Sequence, residues 1–254
     1  MNKTIAKAID LSAMAYQDPA DIESALKGIA DGFKWVENKD TDTQAFICED
    51  DDFAWCIFRG TEFDNLDDWI TNLNCGFIAG PWGDSHHGFN SDVLSVKYDL
   101  DGRLLKYFIQ DKPIIFTGHS QGAGDTEQYF SYRCYNLDTP GNICIPIAPP
   151  RSFSKAAAFT FGSKHGHRVH HVINNNDIVP RVPTRFMGYG HIENRVLNYL
   201  DEDGNLHHDI SWWDKFKDRV KGRVYDFGEF GTDGVKDHSI SEYQRIWKGV
   251  VKGS

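Results

Sequence analysis

Long apolar runs are missing from this sequence. No stretch of roughly 18 apolar residues occurs along its 254 positions, so no membrane-spanning helix is expected. Positive charge is also scarce: 27 Lys and Arg stand against 37 Asp and Glu, a formal net charge of -10. That balance excludes bulk attraction to nucleic acid or to an anionic membrane surface. The acids are scattered, as at Asp50–Asp52 and Asp201–Asp203, which fits solvated turns rather than an acidic tail. Cysteine is sparse and odd in number. Cys48, Cys56, Cys75, Cys134 and Cys144 show no C-x-x-C spacing, which argues against a disulfide-framed secreted fold while leaving room for one bridge. The opening MNKTIAKAIDLSAMAYQD has lysines and acids before any long apolar run develops. It therefore lacks the pattern of a secretory leader, and a cytoplasmic home is the expectation. No internal repeat or linker is visible, so residues 1–254 are expected to form a single domain.

What is present alternates between helix and strand periods. Ile5, Ile9, Ala13 and Tyr16 share one helical stripe, and a short helix is expected over Ile22–Ala30. TQAFICEDDDFAWCIFRG reads as two strands around an acidic turn at Asp50–Asp52, the second nearly all apolar, as in a buried sheet. Phe89, Val93, Val96, Leu100 and Leu104 recur at spacings of three and four, one packed helix face. Residues 113–117 then form a short apolar strand feeding into Gly118, and residues 121–134 a helix. Further strands are expected at 144–148, 169–173 and 193–200, while 201–237 resists assignment. Strand, sharp turn and helix in this order make a βα unit of a largely parallel sheet.

That sharp turn reads F-T-G-H-S-Q-G-A-G, with G-x-S-x-G around Ser120. A nucleophilic serine must stand proud of the fold in a tight strand-to-helix turn, which crowds the residues two before and two after it. Here both are glycine, Gly118 and Gly122. The turn also sets Ser120 near a helix N-terminus, where free N–H groups can stabilise an oxyanion. A serine nucleophile needs an acid and a histidine. Several acids follow Ser120, and spacing alone does not choose among them.

Taken together, FRGT at 58–61, DWITNL at 68–73, HHGF at 86–89, IIFTGHSQGA at 114–123, NNNDIVPRVP at 174–183 and GYGH at 188–191 resemble the class 3 lipases, with a thinner match in DHSISEY at 237–243. The resemblance runs from about residue 5 to 200. It implies an α/β-hydrolase fold, a mostly parallel central sheet flanked by helices, and hydrolysis of carboxylic esters, lipid or acyl esters among them, through a Ser-Asp-His triad. In that pattern Asp177 is the acid, presented by a loop stiffened by Pro180 and Pro183. The base then comes after it in sequence, which leaves His191, His207, His208 and His238. The family places its base ahead of a last packed helix, the position of His238, with Ser239 or Asp237 available to cap that helix. His191 falls instead in a structural G-Y-x-H segment. The resemblance assigns the oxyanion donors to the backbone N–H groups of Thr61 and Gln121, with the Thr61 hydroxyl as an added donor. Residues 62–88 hold the place of a lid. Phe77, Ile78, Pro81 and Trp82 are its only cluster of exposed-looking apolar groups, too little for a long greasy cover, so partly polar esters or single lipid molecules are expected as substrates.

The chain departs from that family in Gln121, where leucine is usual, and in Asp125 and Glu127, which are expected to favour the helix dipole and to make this helix polar. Paired histidines at 86–87, 170–171 and 207–208 lack H-E-x-x-H or a cysteine set, so no metal is expected, and no organic cofactor is implied. The run Asp201–Asn205 reads as a hairpin turn rather than a calcium loop, since its glycine is misplaced. Trp212, Trp213 and Phe216 are expected to pack a C-terminal helix. The competing reading is a hydrolase-like fold kept for binding or scaffolding, with its chemistry lost.

Overall fold

The computed structural model describes residues 1–62, 69, 76–201, 203–208 and 236–253. The chain opens with helices α1 (Asn2–Met14) and α2 (Pro19–Leu26), then strands β1 (Asp31–Asn38), β2 (Thr43–Glu49) and β3 (Ala54–Phe58). A hairpin of β4 (Phe77–Gly80) and β5 (Gly83–His86) leads into the long helix α3 (His87–Ile109). Strand β6 (Ile114–His119) and helix α4 (Gln121–Asn136) follow, then β7 (Ile143–Ile147), β8 (Phe153–Ser154) and α5 (Lys155–His165). The remainder comprises β9 (His170–Asn174), β10 (Tyr189–Gly190), β11 (Val196–Leu200), β12 (Leu206–His208) and the last helix, α6 (Ile240–Gly253).

Eight strands form the main sheet in the order β1-β2-β3-β6-β7-β9-β11-β12. Its centre, β3 through β11, is parallel; β1-β2, β2-β3 and β11-β12 pair antiparallel at the edges. The apolar run of β3 is explained by burial on both faces. Ala54, Cys56 and Phe58 point to a core shared with Val93, Val96, Leu100 and Leu104 of α3, whereas Trp55 and Ile57 point to a core shared with Ile5 and Ile9 of α1 and with Trp247 of α6. A strand whose alternate side chains meet two different helix layers has no polar face to display. Helix α6 reaches the second core with Tyr243 and Trp247, one turn apart on one face. Burying each such side chain is worth about 1.5–3 kcal/mol.

Several expectations shift. The second helix begins at Pro19 and ends at Leu26, earlier at both ends than the expected Ile22–Ala30, and is followed by β1, a strand not among those expected. Only Val36 of β1 is fully buried, because the strand lies at the sheet edge and its charged residues face water. Residues 77–86 are folded into a second, four-stranded sheet of order β10-β8-β5-β4. Trp82 at its turn is half-buried against Phe161 and His165 and donates to the Ser131 carbonyl at 2.9 Å, so it packs the body rather than facing solvent. The Asp201 turn closes the β11-β12 hairpin, with Asp201 Oδ1 accepting from the backbone N–H of Asp203 and Asn205. Cys48, Cys56, Cys134 and Cys144 are buried free thiols. Asp68 and Ile70–Leu73 of the DWITNL stretch lie outside the described residues, as do Cys75, Trp212, Trp213 and Phe216.

Candidate active site

Ser120 stands between β6 and α4 with φ 60° and ψ -123°. A positive φ on a residue with a Cβ costs on the order of 1–3 kcal/mol and persists only where the surroundings over-determine it. They do so here through the two flanking glycines. A Cβ on Gly118 would strike the backbone of Gly122, and a Cβ on Gly122 would lie 2.5 Å from the Phe58 carbonyl oxygen. The Ser120 N–H is held by the Ile147 carbonyl at 3.1 Å, and its own carbonyl accepts from Ala123 N at 3.0 Å to start α4.

Three residues far apart in sequence meet at this turn. His238 Nε2 lies 2.9 Å from Ser120 Oγ, and His238 Nδ1 lies 3.1 Å from each carboxylate oxygen of Asp177. All three are buried. With Nδ1 donating to the carboxylate, Nε2 is left as the acceptor for the serine proton. Asp177 follows β9 in a tight turn, its N–H donating to the Asn174 carbonyl, and its Oδ1 accepts from Val179 N at 2.9 Å. Asn174 and Asn176 in turn bind the backbone and the carboxylate of Asp237, which joins the acid loop to the segment bearing His238. Asp237 is thus spent on that loop. The Ser239 hydroxyl pairs with that of Ser241 in the first turn of α6.

Motif reading did not single out the groups that orient these three. Tyr243 Oη donates to Asp177 Oδ2 at 2.7 Å and accepts from Asn174 N at 2.9 Å. His119 stacks on His238 with ring centres 4.7 Å apart, and its Nε2 donates to the His238 carbonyl at 2.8 Å. Its Nδ1 is then an acceptor, filled by the Tyr16 hydroxyl at 2.8 Å. Burial, reinforced by the neighbouring His238, pushes His119 well below the ordinary histidine range, so it stays neutral. Both were within reach of sequence reasoning: His119 adjoins the serine, and Tyr243 lies five residues beyond His238.

On the other side of Ser120, no acceptor among the described residues pairs with the backbone N–H of Gln121 or Thr61. The Thr61 hydroxyl behaves differently from expectation: it donates to Gln121 Oε1 at 2.6 Å. Thr61, Gln121 and Asp125 also line a polar cavity of about 270 Å³ behind the turn.

Asp125 and Glu127 do not form a polar face. Helix α4 is buried almost throughout, and both acids are buried with it. Desolvation lifts Asp125 well above the usual carboxylate range and Glu127 to about 8. Glu127 lies 2.6 Å from Nε2 of His171 on β9. His191 packs edge-on against His171 and donates to the Pro180 carbonyl, the packing role expected of it. His207 pairs with Asp201, and His86 accepts from Phe89 N at the start of α3. Cys134, Asp138 and His165 gather in metal-like proximity, but the Arg168 guanidinium contacts all three and supplies the positive charge there.

The family model for class 3 lipases matches residues 55–187, more than half of the chain. The chain belongs to the class 3 lipase family. Members of this family are serine hydrolases of carboxylic esters, and so is this protein. Its fold is similar to that of a triacylglyceride lipase from Rhizomucor miehei, at 19% identity and TM-score 0.68, over 81% of this chain and 82% of that one. A triacylglycerol lipase described as having a serine protease triad matches over 93% of this chain and 92% of its own, with TM-score 0.74 and 19% identity. A lipase from Rhizopus microsporus var. chinensis matches at 24% identity and TM-score 0.67, covering 82% and 76%. These likenesses are those of an α/β-hydrolase fold with a mostly parallel central sheet flanked by helices.

Proposed function

We propose that this class 3 lipase hydrolyses acyl esters through an acyl-enzyme on Ser120, with His238 as general base and acid and Asp177 as its orienting carboxylate. His238 takes the Ser120 proton through Nε2 as Oγ attacks the acyl carbon. Charge then develops on the carbonyl oxygen, which the N–H groups of Thr61 and Gln121 hold; losing one such donor typically costs about 3 kcal/mol of transition-state stabilisation. His238 returns its proton to the leaving alcohol, and a water molecule repeats the sequence to free the acid. The observation carrying this reading is the continuous buried path from Ser120 Oγ to His238 to Asp177, with contacts of 2.9 and 3.1 Å. A module kept only for binding has no need of such a path. Lipid or partly polar acyl esters are the proposed substrate class, in keeping with the fungal triacylglycerol lipases that share the fold.

A fluorophosphonate probe tests this directly. Covalent labelling mapped to Ser120, absent in Ser120→Ala, is the expected result. A folded wild-type protein that hydrolyses no p-nitrophenyl ester of any chain length and never labels would establish the binding module instead.

A further inference from the structure

Gln121 opens α4 directly after Ser120, and its carboxamide is oriented at both ends. Oε1 accepts from the Thr61 hydroxyl at 2.6 Å and from the Trp69 indole N–H at 3.3 Å, while Nε2 donates to Asp92 Oδ2 on α3 at 3.2 Å. Reversing the amide would set its NH₂ against the Trp69 indole N–H, which can only donate, and its carbonyl against the Asp92 carboxylate, so only one orientation satisfies every partner. A threonine hydroxyl has one proton. With that proton committed to Gln121, Thr61 has no hydroxyl donor left for a substrate oxygen and can offer only its backbone N–H. Thr61 follows β3 in an exposed turn and makes no other hydrogen bond among the described residues. The segment before it packs on the same helix through Phe58 and Arg59 against Gly122, and the contact with Gln121 extends that anchorage to Thr61 itself.

Resting on the triad reading above, we infer that Gln121 acts twice: its backbone N–H is an oxyanion donor, and its side chain is a positioning group that anchors Thr61 by the hydroxyl. Asp92 fixes the amide from the far side. The Thr61 hydroxyl is then a handle rather than a direct contact to the transition state. Because a displacement of about 1 Å in a positioned group can cost a hundredfold in rate, even a partial loosening of this anchor is visible kinetically.

A double-mutant cycle on the full chain separates handle from direct donor. Gln121→Met keeps the size of the side chain and its helix preference while removing both ends of the amide; Thr61→Val removes the hydroxyl at constant shape. With a p-nitrophenyl ester, each single variant is expected to lose about tenfold in kcat with KM little changed. The double variant should be no slower than the slower single, and Thr61→Ser should restore most of the rate. Multiplicative losses in the double variant would mean that the hydroxyl meets the substrate itself, which overturns the proposal, as would wild-type kcat in folded Gln121→Met. Should Gln121→Met fail to fold, Gln121→Leu takes its place in the same cycle with the same criteria. Ser120→Ala separates the two levels. Wild-type turnover in that variant sinks the triad and this inference together, whereas multiplicative losses with Ser120→Ala inactive sink this inference alone.

Discussion

Replacing Tyr243 by phenylalanine removes one oxygen atom that does two jobs. The hydroxyl donates to Asp177 Oδ2 at 2.7 Å and accepts from Asn174 N at 2.9 Å, and the residue is fully buried. A hydrogen bond to a charged group contributes about 1.5–3 kcal/mol, and a buried N–H left without a partner costs about 1–3 kcal/mol. Because the two share an atom they do not add fully, and about 3 kcal/mol is the expected loss of stability. At about 2–4 °C per kcal/mol for a chain of this size, the melting temperature should fall by about 6–12 °C. Catalysis should suffer less. Asp177 keeps His238 on both oxygens and Val179 N on one, so kcat should drop about tenfold, to a level well above that of a variant lacking the acid. Thermal unfolding followed by circular dichroism and initial rates on a short-chain ester measure the two effects. A melting temperature within about 1 °C of wild type would refute the reasoning, since it would mean that the buried carboxylate and amide do not depend on this hydroxyl.

Two further outcomes follow from the site. Asp177→Asn should leave the fold intact while lowering kcat about ten-thousandfold, because an amide facing Nδ1 no longer enforces the tautomer in which Nε2 accepts from Ser120; initial rates at saturating ester check this. Asp125→Asn should raise stability increasingly with pH. Oδ1 of Asp125 is buried without a hydrogen-bond partner, and the pKa of the carboxyl group is raised by burial, with the neighbouring Asp92 adding to the rise. The unfolded carboxyl group ionises near pH 4, so wild-type stability from this group is complete below about pH 4 and is lost as pH climbs toward the raised folded value. The asparagine variant lacks that loss, and the gap between the two melting temperatures should widen from pH 4 to pH 8; a constant gap would count against it.

The legible parts of this molecule were those where local pattern and global role coincide. The apolar run of β3, the period of α3 and the strand-turn-helix around Ser120 each carry their meaning within a few residues. Edge elements did not. Strand β1 mixes Phe33, Trp35 and Val36 with charged neighbours because only one flank is covered, and the β4-β5 hairpin reads as loop because it belongs to a second sheet completed by β8 and β10. Asp177 could not be chosen by spacing among the acids that follow Ser120, since its selection depends on a turn closed by Asn174 and on Tyr243 from α6. The acids of α4 misled for a similar reason. Asp125 and Glu127 look like first-turn residues facing water, yet this helix is enclosed between α3 and the sheet, so its polar residues are internal.

The stacked pair His119 and His238 draws the two halves of the chain's history together. Tyr16 grips the first ring from just beyond α1, the second ring arrives only at residue 238, and α1 and α6 lie side by side, with the Trp247 indole bound to the Asn2 carbonyl. On the proposed triad, ester cleavage needs the segment before α6 held in place by α6 packed on α1, so activity would report on the docking of these two helices as well as on intact chemistry.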